Sequence, residues 1–585
     1  MKKNLPSKKP FDSSLQDIVY SLDVGGGLKM MRILLYSLLV LIIVMIYQAT
    51  QFHGLNSNES MDLAQLGRNY SFSDGLITKN ISPLSIDKME GYAGDPLIRS
   101  HPDLIHPPAY PILLSFGYKL CELLGLQPFD LSNSIKLPAE QWVIIPLNNL
   151  FTIFTGLLIF SVGKHLFYRE IGFISMTIYY FSDIAWQTSI SGLNLSMAIF
   201  FIFAAYRSII ISIRYKLEEN DLKRFWIGFF ISILFSAIAF HTRYLSSVMV
   251  IGLVIYIWLA LGKFNGGTRY FLIYVFSFVI LILPWLIRNY LISDNPFGHV
   301  FHTALLNTPQ FSDLSYFRDY NSFLDFKIVT SALKEKWILN YSGNYDGLIP
   351  GIGGGLLMSF FITTFFYKFI RPGINYLRTS MGISLVIFVI LAGFFSDSSI
   401  QLINMFWPFI IIFGLAFFYI FLDRLSFDSR YQSLLLKCVI VTLSIIPFAF
   451  RLMPPHEGQP YPPYYPPYIS MVSSEWLSDR EVICTDMPWA TSWYGDRISI
   501  LLPKDLEQYY TINDYKQYIS AIYLTTLTKN KPFLDLVNGS DKDWMDVMNG
   551  RLPSDFPLKS LINLNKIDQT FISDQERWNK SSTAK

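Results

Sequence analysis

The sequence predicts an α-helical polytopic membrane protein of about 11–13 transmembrane helices with a small exoplasmic α/β domain at its C-terminal end. Three observations carry this. Of the 585 residues, 51% are hydrophobic and only 16% are charged, which is too apolar for a water-soluble chain of this size. Apolar runs long enough for a ~30 Å hydrocarbon core recur along the first three quarters of the chain. Beyond residue 470 the composition changes to short β-prone stretches separated by turn and helical material.

The apolar runs fall at 31–50, 141–163, 171–188, 192–213, 225–241, 245–262, 270–291, 352–370, 381–396, 400–422 and 434–452. Basic residues collect at Lys164–Arg169, Arg207–Arg224, Lys263–Arg269, Lys368–Arg378 and Arg424–Lys437, in alternation with connections nearly free of Lys and Arg. The positive-inside rule therefore places those five connections in the cytoplasm, together with a 1–30 tail ahead of an uncleaved first anchor. The first loop (51–140), the second large loop (292–350) and everything after 453 then lie outside. Residues 107–125 are apolar too, but a single crossing there would invert every later loop. They are expected to form a juxtamembrane or re-entrant helix, or one of two crossings.

Within this plan, 31–453 is the membrane domain and 454–470 a Pro/Tyr-rich linker suited to polyproline II at the headgroup region. Residues 471–585 form the exoplasmic α/β domain, with strands at EVICTD, RISILLP and AIYLTTL. The 47 basic and 44 acidic residues nearly balance, which points away from nucleic acid, and three scattered cysteines, Cys121, Cys438 and Cys484, build neither a disulfide framework nor a zinc knuckle.

Candidate chemistry gathers on the outside loops. In HPDLIHPPAYPILL (101–114), His101, Asp103 and His106 meet a Pro-Pro turn at the lip of an apolar helix. In MDLAQLGRNY (61–70), a helix would put Asp62 and Gln65 on one face with Arg68 a further turn along; on pattern alone, a plain first-turn aspartate beside the helix N-terminus is the better account of Asp62. Arg243 and Arg288 stand at the outer ends of spans, where a cation either snorkels to headgroups or holds an anionic ligand. GIGGG (351–355) reads as close helix packing, and DKD (541–543) as a solvated turn.

The ordered set MDLAQLGRNYSFSDG, HPDLIHPPAYPILL, HTRY and PWLIRNYLISDNPFG resembles the bacterial GT-C glycosyltransferases of the protein O-mannosyltransferase and aminoarabinose-transferase type, over roughly residues 31–300. The resemblance implies a polyprenyl-phosphate sugar donor, a protein, lipid or glycan acceptor, and transfer with inversion at the outer, periplasmic face of a bacterial inner (plasma) membrane. It makes Asp62 the catalytic base and His106, Arg243 and Arg288 the donor-phosphate ligands. Arg68, His101, Asp103 and Tyr244 would contact substrate or orient the loops. The chain departs from the pattern at Leu63 and Ile105, where many relatives carry acids, so no metal or other cofactor is expected. A lipid-linked oligosaccharide polymerase or ligase is the alternative. Transport is disfavoured because mid-span positions are nearly charge-free.

Overall fold

The computed structural model describes residues 26–72, 74–89, 98–131, 136–262, 266–312, 314–320, 325–343, 355–395, 404–425, 430–453, 466–531, 536–537, 539, 541–564 and 568–578. The N-terminal tail to residue 25, most of the Pro/Tyr linker (454–465) and the glycines at 351 and 353–354 lie outside the described residues. The chain divides into two compact units, 1–52 with 452–459, and 53–451 with 460–585. The first unit contributes α1 (Gly26–Gln51), a continuous apolar helix long enough to cross a bilayer.

Among the described residues, eight helices are long and apolar enough to span a membrane. Besides α1, they lie at Glu140–Leu166, Leu195–Leu217, Leu222–Thr242, Thr268–Ser293, Pro372–Phe394, Trp407–Arg424 and Tyr431–Leu452. The other three apolar runs fold as shorter helices. Tyr244–Ala260 and Gly355–Thr364 are two of these, and the expected span at 171–188 is broken into Arg169–Tyr180 and Asp183–Ile190. At the break, Ser182 is extended, Trp186 Nε1 donates to the Tyr180 carbonyl (2.7 Å), a backbone group that the helix abandons, and Trp407 Nε1 holds the Ser182 hydroxyl (3.0 Å). The chain is a multi-pass integral membrane protein.

Helix faces sort by solvent. The 268–293 helix leaves Leu272, Phe276, Ile280 and Leu283 on its surface, as lipid requires. The 145–166 helix turns Asn148, Asn149, Thr152 and Thr155 inward, where Asn148 Nδ2 reaches the Leu193 carbonyl (3.0 Å). Its Gly163 meets Gly172 so closely that an added Cβ would lie 2.7 Å from the Gly172 Cα, the backbone contact that small residues permit between membrane helices.

Between the spans, the first loop folds into α2 (Asn58–Ser71), β1 (Asn80–Ile81), α3 (Pro83–Lys88) and α4 (Ala109–Leu123). Residues 107–125 thus hold a 15-residue helix, about 22 Å long and too short to span. It packs on α2, with Tyr118 Oη donating to the Ala64 carbonyl (3.5 Å).

The C-terminal region supplies β2 (Val482–Thr485), β3 (Ile498–Leu501) and β4 (Ala521–Leu524), matching the three expected strands, and then β5 (Ser560–Leu564) and β6 (Gln569–Ser573). The sheet order is β1-β3-β2-β4-β6-β5; the first four strands are parallel and the last two pair antiparallel. Its edge strand β1 comes from the first loop, with Asn80 opposite Ser499 and Ile81 opposite Ile500. Ile81, Cys484, Ile500, Ile522 and Trp544 share one buried core, so this loop is part of the sheet domain. The second loop enters as well: buried Arg318 donates to the Leu502 and Pro503 carbonyls and pairs with Asp541. Asp541, which also pairs with Lys531, is therefore buried, contrary to the expectation of a solvated DKD turn, because two cations offset its desolvation.

Candidate active site

A cavity of about 1050 Å³ opens where the first loop, the second loop, one end of the helix bundle and the carboxyl edge of the sheet meet. Asp62, His101, Asp103, His106, Arg243 and Tyr244 all line it. Arg68 and Arg288 do not.

Asp62 reaches the cavity because α2 starts cleanly at Ser57, whose side chain accepts from the Ser60 N–H, and buries Met61 and Leu63 on its other side. Its Oδ1 accepts from Asn80 Nδ2 at 2.7 Å. Burial pushes the carboxyl up to about 6, against the opposing pull of His106 and the Asn80 hydrogen bond.

His106 sits in a turn closed by Asp103, which accepts from the His106 backbone N–H (2.8 Å) and lies 3.1 Å from its Nδ1. Burial alone would lower this imidazole; Asp103 first, then Asp62 and Glu59, carry it up to about 9, so it is an imidazolium at neutral pH. Asp103 is held below the usual carboxylate range, since the His106 charge and hydrogen bonds and the nearby Arg288 outweigh its burial. His101 lies beside Ser85 Oγ at 2.7 Å from its Nε2.

Arg243 ends the 222–242 helix in extended conformation and points Nη1 at Asn194 Oδ1 (2.8 Å) and Glu59 Oε1 (3.0 Å). Asn194 Nδ2 in turn caps the Thr242 carbonyl (2.6 Å), so one buried amide fixes both the helix end and the guanidinium. Tyr244 Oη accepts from Trp285 Nε1 (2.7 Å).

The two arginines that miss the cavity have structural partners. Arg288 donates Nη1 to the Asp103 carbonyl (2.8 Å) and lies 4.7 Å from the centre of the Trp285 ring. It supports the Asp103 turn from behind, a different place from the phosphate ligand expected of it. Arg68, expected near substrate, is buried against the sheet domain. It donates to the Trp493 and Ser492 carbonyls, pairs with Asp496 (2.7 Å) and lies over the Trp493 ring.

Sequence reasoning missed Glu59, Asn80, Asn194 and His299, all on the cavity wall. Glu59 stands three residues before Asp62, a spacing that marks one helix face. Asn80 carried no local signal. His299, held at about 4 by burial and by His302 and His101, is neutral at physiological pH. Its backbone N–H donates to the Leu104 carbonyl (2.9 Å) beside Gly298, where a positive φ and the nearby Leu104 carbonyl oxygen exclude a Cβ. The opposite wall is the carboxyl edge of the parallel strands: Asp486 and Trp489 after β2, Leu502 after β3, Thr528 and Lys531 after β4. Asp486 there is taken by the hydroxyls and backbone N–H groups of Thr525 and Thr528.

No protein-family model matches the sequence, and no curated protein does either. Solved structures do match by fold. ArnT from Cupriavidus metallidurans bound to undecaprenyl phosphate aligns with a TM-score of 0.56 at 11% identity, over 93% of this chain and 98% of that one. The Archaeoglobus fulgidus oligosaccharyltransferase complex with zinc and sulfate aligns at 0.55 and 9% identity, over 86% and 70%. AglB from the same archaeon, in complex with an inhibitory peptide and a dolichol-phosphate, aligns at 0.54 and 11%, over 84% and 69%. Glu59, Asp62 and Asp103 are engaged by Arg243, Asn80 and His106, and no cluster among the described residues is placed to hold a metal ion.

Proposed function

Starting from a chain with the GT-C fold, we propose that this protein is a glycosyltransferase that moves a sugar from a polyprenyl-phosphate donor to an acceptor hydroxyl, with inversion, at the exoplasmic face of the cell membrane. The observation that carries the reading is the convergence of one base, Asp62, with two cations, His106 and Arg243, on a single cavity at one end of a membrane-helix bundle. Membrane-side helices and a polar cavity suit a substrate that is half lipid and half sugar phosphate.

In this reading the acceptor hydroxyl gives its proton to an Asp62 oxygen as its own oxygen bonds to the anomeric carbon. The bond from that carbon to the phosphate oxygen breaks on the opposite face, and the electron pair leaves with the polyprenyl phosphate. With its carboxyl near 6, Asp62 is roughly nine-tenths ionised at neutral pH yet basic enough to accept a proton in flight. The His106 imidazolium and the Arg243 guanidinium offset the charge on the departing phosphate. Arg288 acts through Asp103, and Asp103 through His106. The acceptor approaches along the carboxyl edge of the sheet, the side on which open parallel sheets take ligands.

The cavity volume, at the upper end of what small-molecule sites enclose, also suits an oligosaccharide donor, as a polymerase or ligase would use. Mass spectrometry of membrane lipids and envelope glycans, with and without the protein, tests both. Loss of a sugar from one envelope component with accumulation of its polyprenyl-phosphate donor is expected; a build-up of lipid-linked oligosaccharide selects the alternative. Unchanged envelope glycans and donor levels contradict the proposal.

A further inference from the structure

Three polar side chains on one face of α2 stitch that helix to the strand segment leading into the sheet. Asp62 accepts from Asn80 Nδ2 (2.7 Å), and Gln65 donates to Thr78 Oγ1 (2.7 Å) while accepting from the Lys79 N–H (3.1 Å). One turn further, Asn69 donates to the Ile77 carbonyl (2.9 Å). Gln65 and Asn69 are fully buried, so these bonds fix the register of helix against strand. The strand is in turn fixed to the sheet, with Asn80 opposite Ser499 and the Ser499 N–H bonded to the Lys79 carbonyl (2.8 Å). Asn80 is thus the junction between the sheet and the carboxylate assigned as base.

We propose that Asn80 is a positioning residue: its side-chain amide aims the Asp62 carboxylate into the cavity and stabilises its ionised form, so that the sheet domain, through β1, governs the base itself. The inference rests on Asp62 being the base of the reaction proposed above. The neighbours leave the amide a distinct part to play. The other groups acting on Asp62 are His106 and Asp103 from the turn before α4 and Glu59 on its own helix, the last already paired with Arg243. Two of these are carboxylates that oppose ionisation, and burial opposes it more strongly. Asn80 donates to the carboxylate oxygen directly, joining His106 in favouring the anion. Because Asn80 lies in a parallel ladder built by β3, its backbone is held beside Asp62 by the edge of the sheet, within reach of the carboxylate.

The test reads the Asp62 proton and the reaction separately. Purified full-length protein carrying Asn80→Ala, Asn80→Asp or Asn80→Ser is treated with a water-soluble carbodiimide, which modifies protonated carboxyls, across pH 4–9, and labelling at Asp62 is quantified by peptide mass spectrometry. Wild type should lose labelling around pH 6. Asn80→Ala should move that midpoint up by about one pH unit, the scale of one hydrogen bond to a charged group. Asn80→Asp should move it further by adding a like charge, and Asn80→Ser, which keeps a donor, should move it less. Transfer from a short-chain polyprenyl-phosphate sugar should follow, with kcat of Asn80→Ala down roughly fivefold at pH 6 and recovering towards pH 8.5. An unmoved labelling midpoint in both Asn80→Ala and Asn80→Asp overturns the inference. A midpoint that moves while the pH profile of transfer stays put leaves Asn80 in its role and refutes Asp62 as the base.

Discussion

Replacing Asp103 by Asn probes the cavity through a group that never touches the reacting atoms in the proposed reaction. The Asp103 and His106 side chains are 8% and 11% exposed, so their attraction is little screened by water. His106 stands at about 9 against an ordinary 6.5, a difference worth about 3 kcal/mol in favour of the imidazolium. In Asp103→Asn the burial that lowers this imidazole is opposed only by Asp62 and Glu59, and its titration falls to 6.5 or below. At pH 7.5 the ring goes from almost wholly charged to roughly nine-tenths neutral. Binding of an isoprenoid phosphate such as citronellyl phosphate, followed by calorimetry, should weaken about 10- to 100-fold at that pH, the worth of one charge-assisted hydrogen bond. Wild-type binding should hold until pH rises through about 9, whereas the variant should already lose its extra affinity through about pH 6. The same shift enters stability: a raised histidine stabilises the fold fully below 6.5 and ceases to do so as pH rises through 9, so wild type alone should lose melting temperature over that window. Asp103→Asn protein with wild-type affinity at pH 7.5 and an unchanged pH midpoint would refute the imidazolium assignment.

Other expectations follow from the same geometry. Asp62→Asn should be more stable than wild type at pH 7–8 by up to about 3 kcal/mol, because a carboxyl raised from 3.8 to about 6 costs stability once ionised; the gain should vanish as pH falls towards 4, and thermal unfolding in detergent reads both limits. Arg243→Ala should weaken isoprenoid-phosphate binding about tenfold or more while leaving the acceptor KM in place, which titration and initial rates separate. Arg68→Met should cost roughly 3 kcal/mol of stability, since the Ser492 and Trp493 carbonyls lose their donor, and should leave donor affinity of the folded protein unchanged.

What could be read in the sequence follows the range of the forces involved. The apolar runs are local and long, so each was legible as a helix, and the β-branched stretches after 480 likewise as strands. The break at Ser182 was not, because the group that accommodates it is Trp407, 225 residues away. Asp103 and His106 were singled out by their setting between loop and apolar helix and Asp62 only by the family resemblance; all three line the cavity. Arg288 was legible as a rim cation, but its partner is a backbone carbonyl, which no residue-type pattern reveals. Arg68 sat on the expected helix, yet its partners lie more than 400 residues away in the sheet domain. Asn80 was invisible because a two-residue strand has no period, and it exists only where β3 is present to pair with it. Asp541 looked solvated because acidic turns usually are; Arg318, arriving from another loop, buries it.

In the proposed reaction Asp62 accepts the proton of the acceptor while His106 and Arg243 hold the leaving phosphate. The most direct test is the rate at which liposome-reconstituted wild type and Asp62→Asn release polyprenyl phosphate from a short-chain polyprenyl-phosphate monosaccharide in the presence of envelope acceptor, with donor binding measured on the same samples. Asp62→Asn should retain donor binding and lose transfer at least a hundredfold, the scale of one general base. Transfer by Asp62→Asn at the wild-type rate would contradict Asp62 as the base.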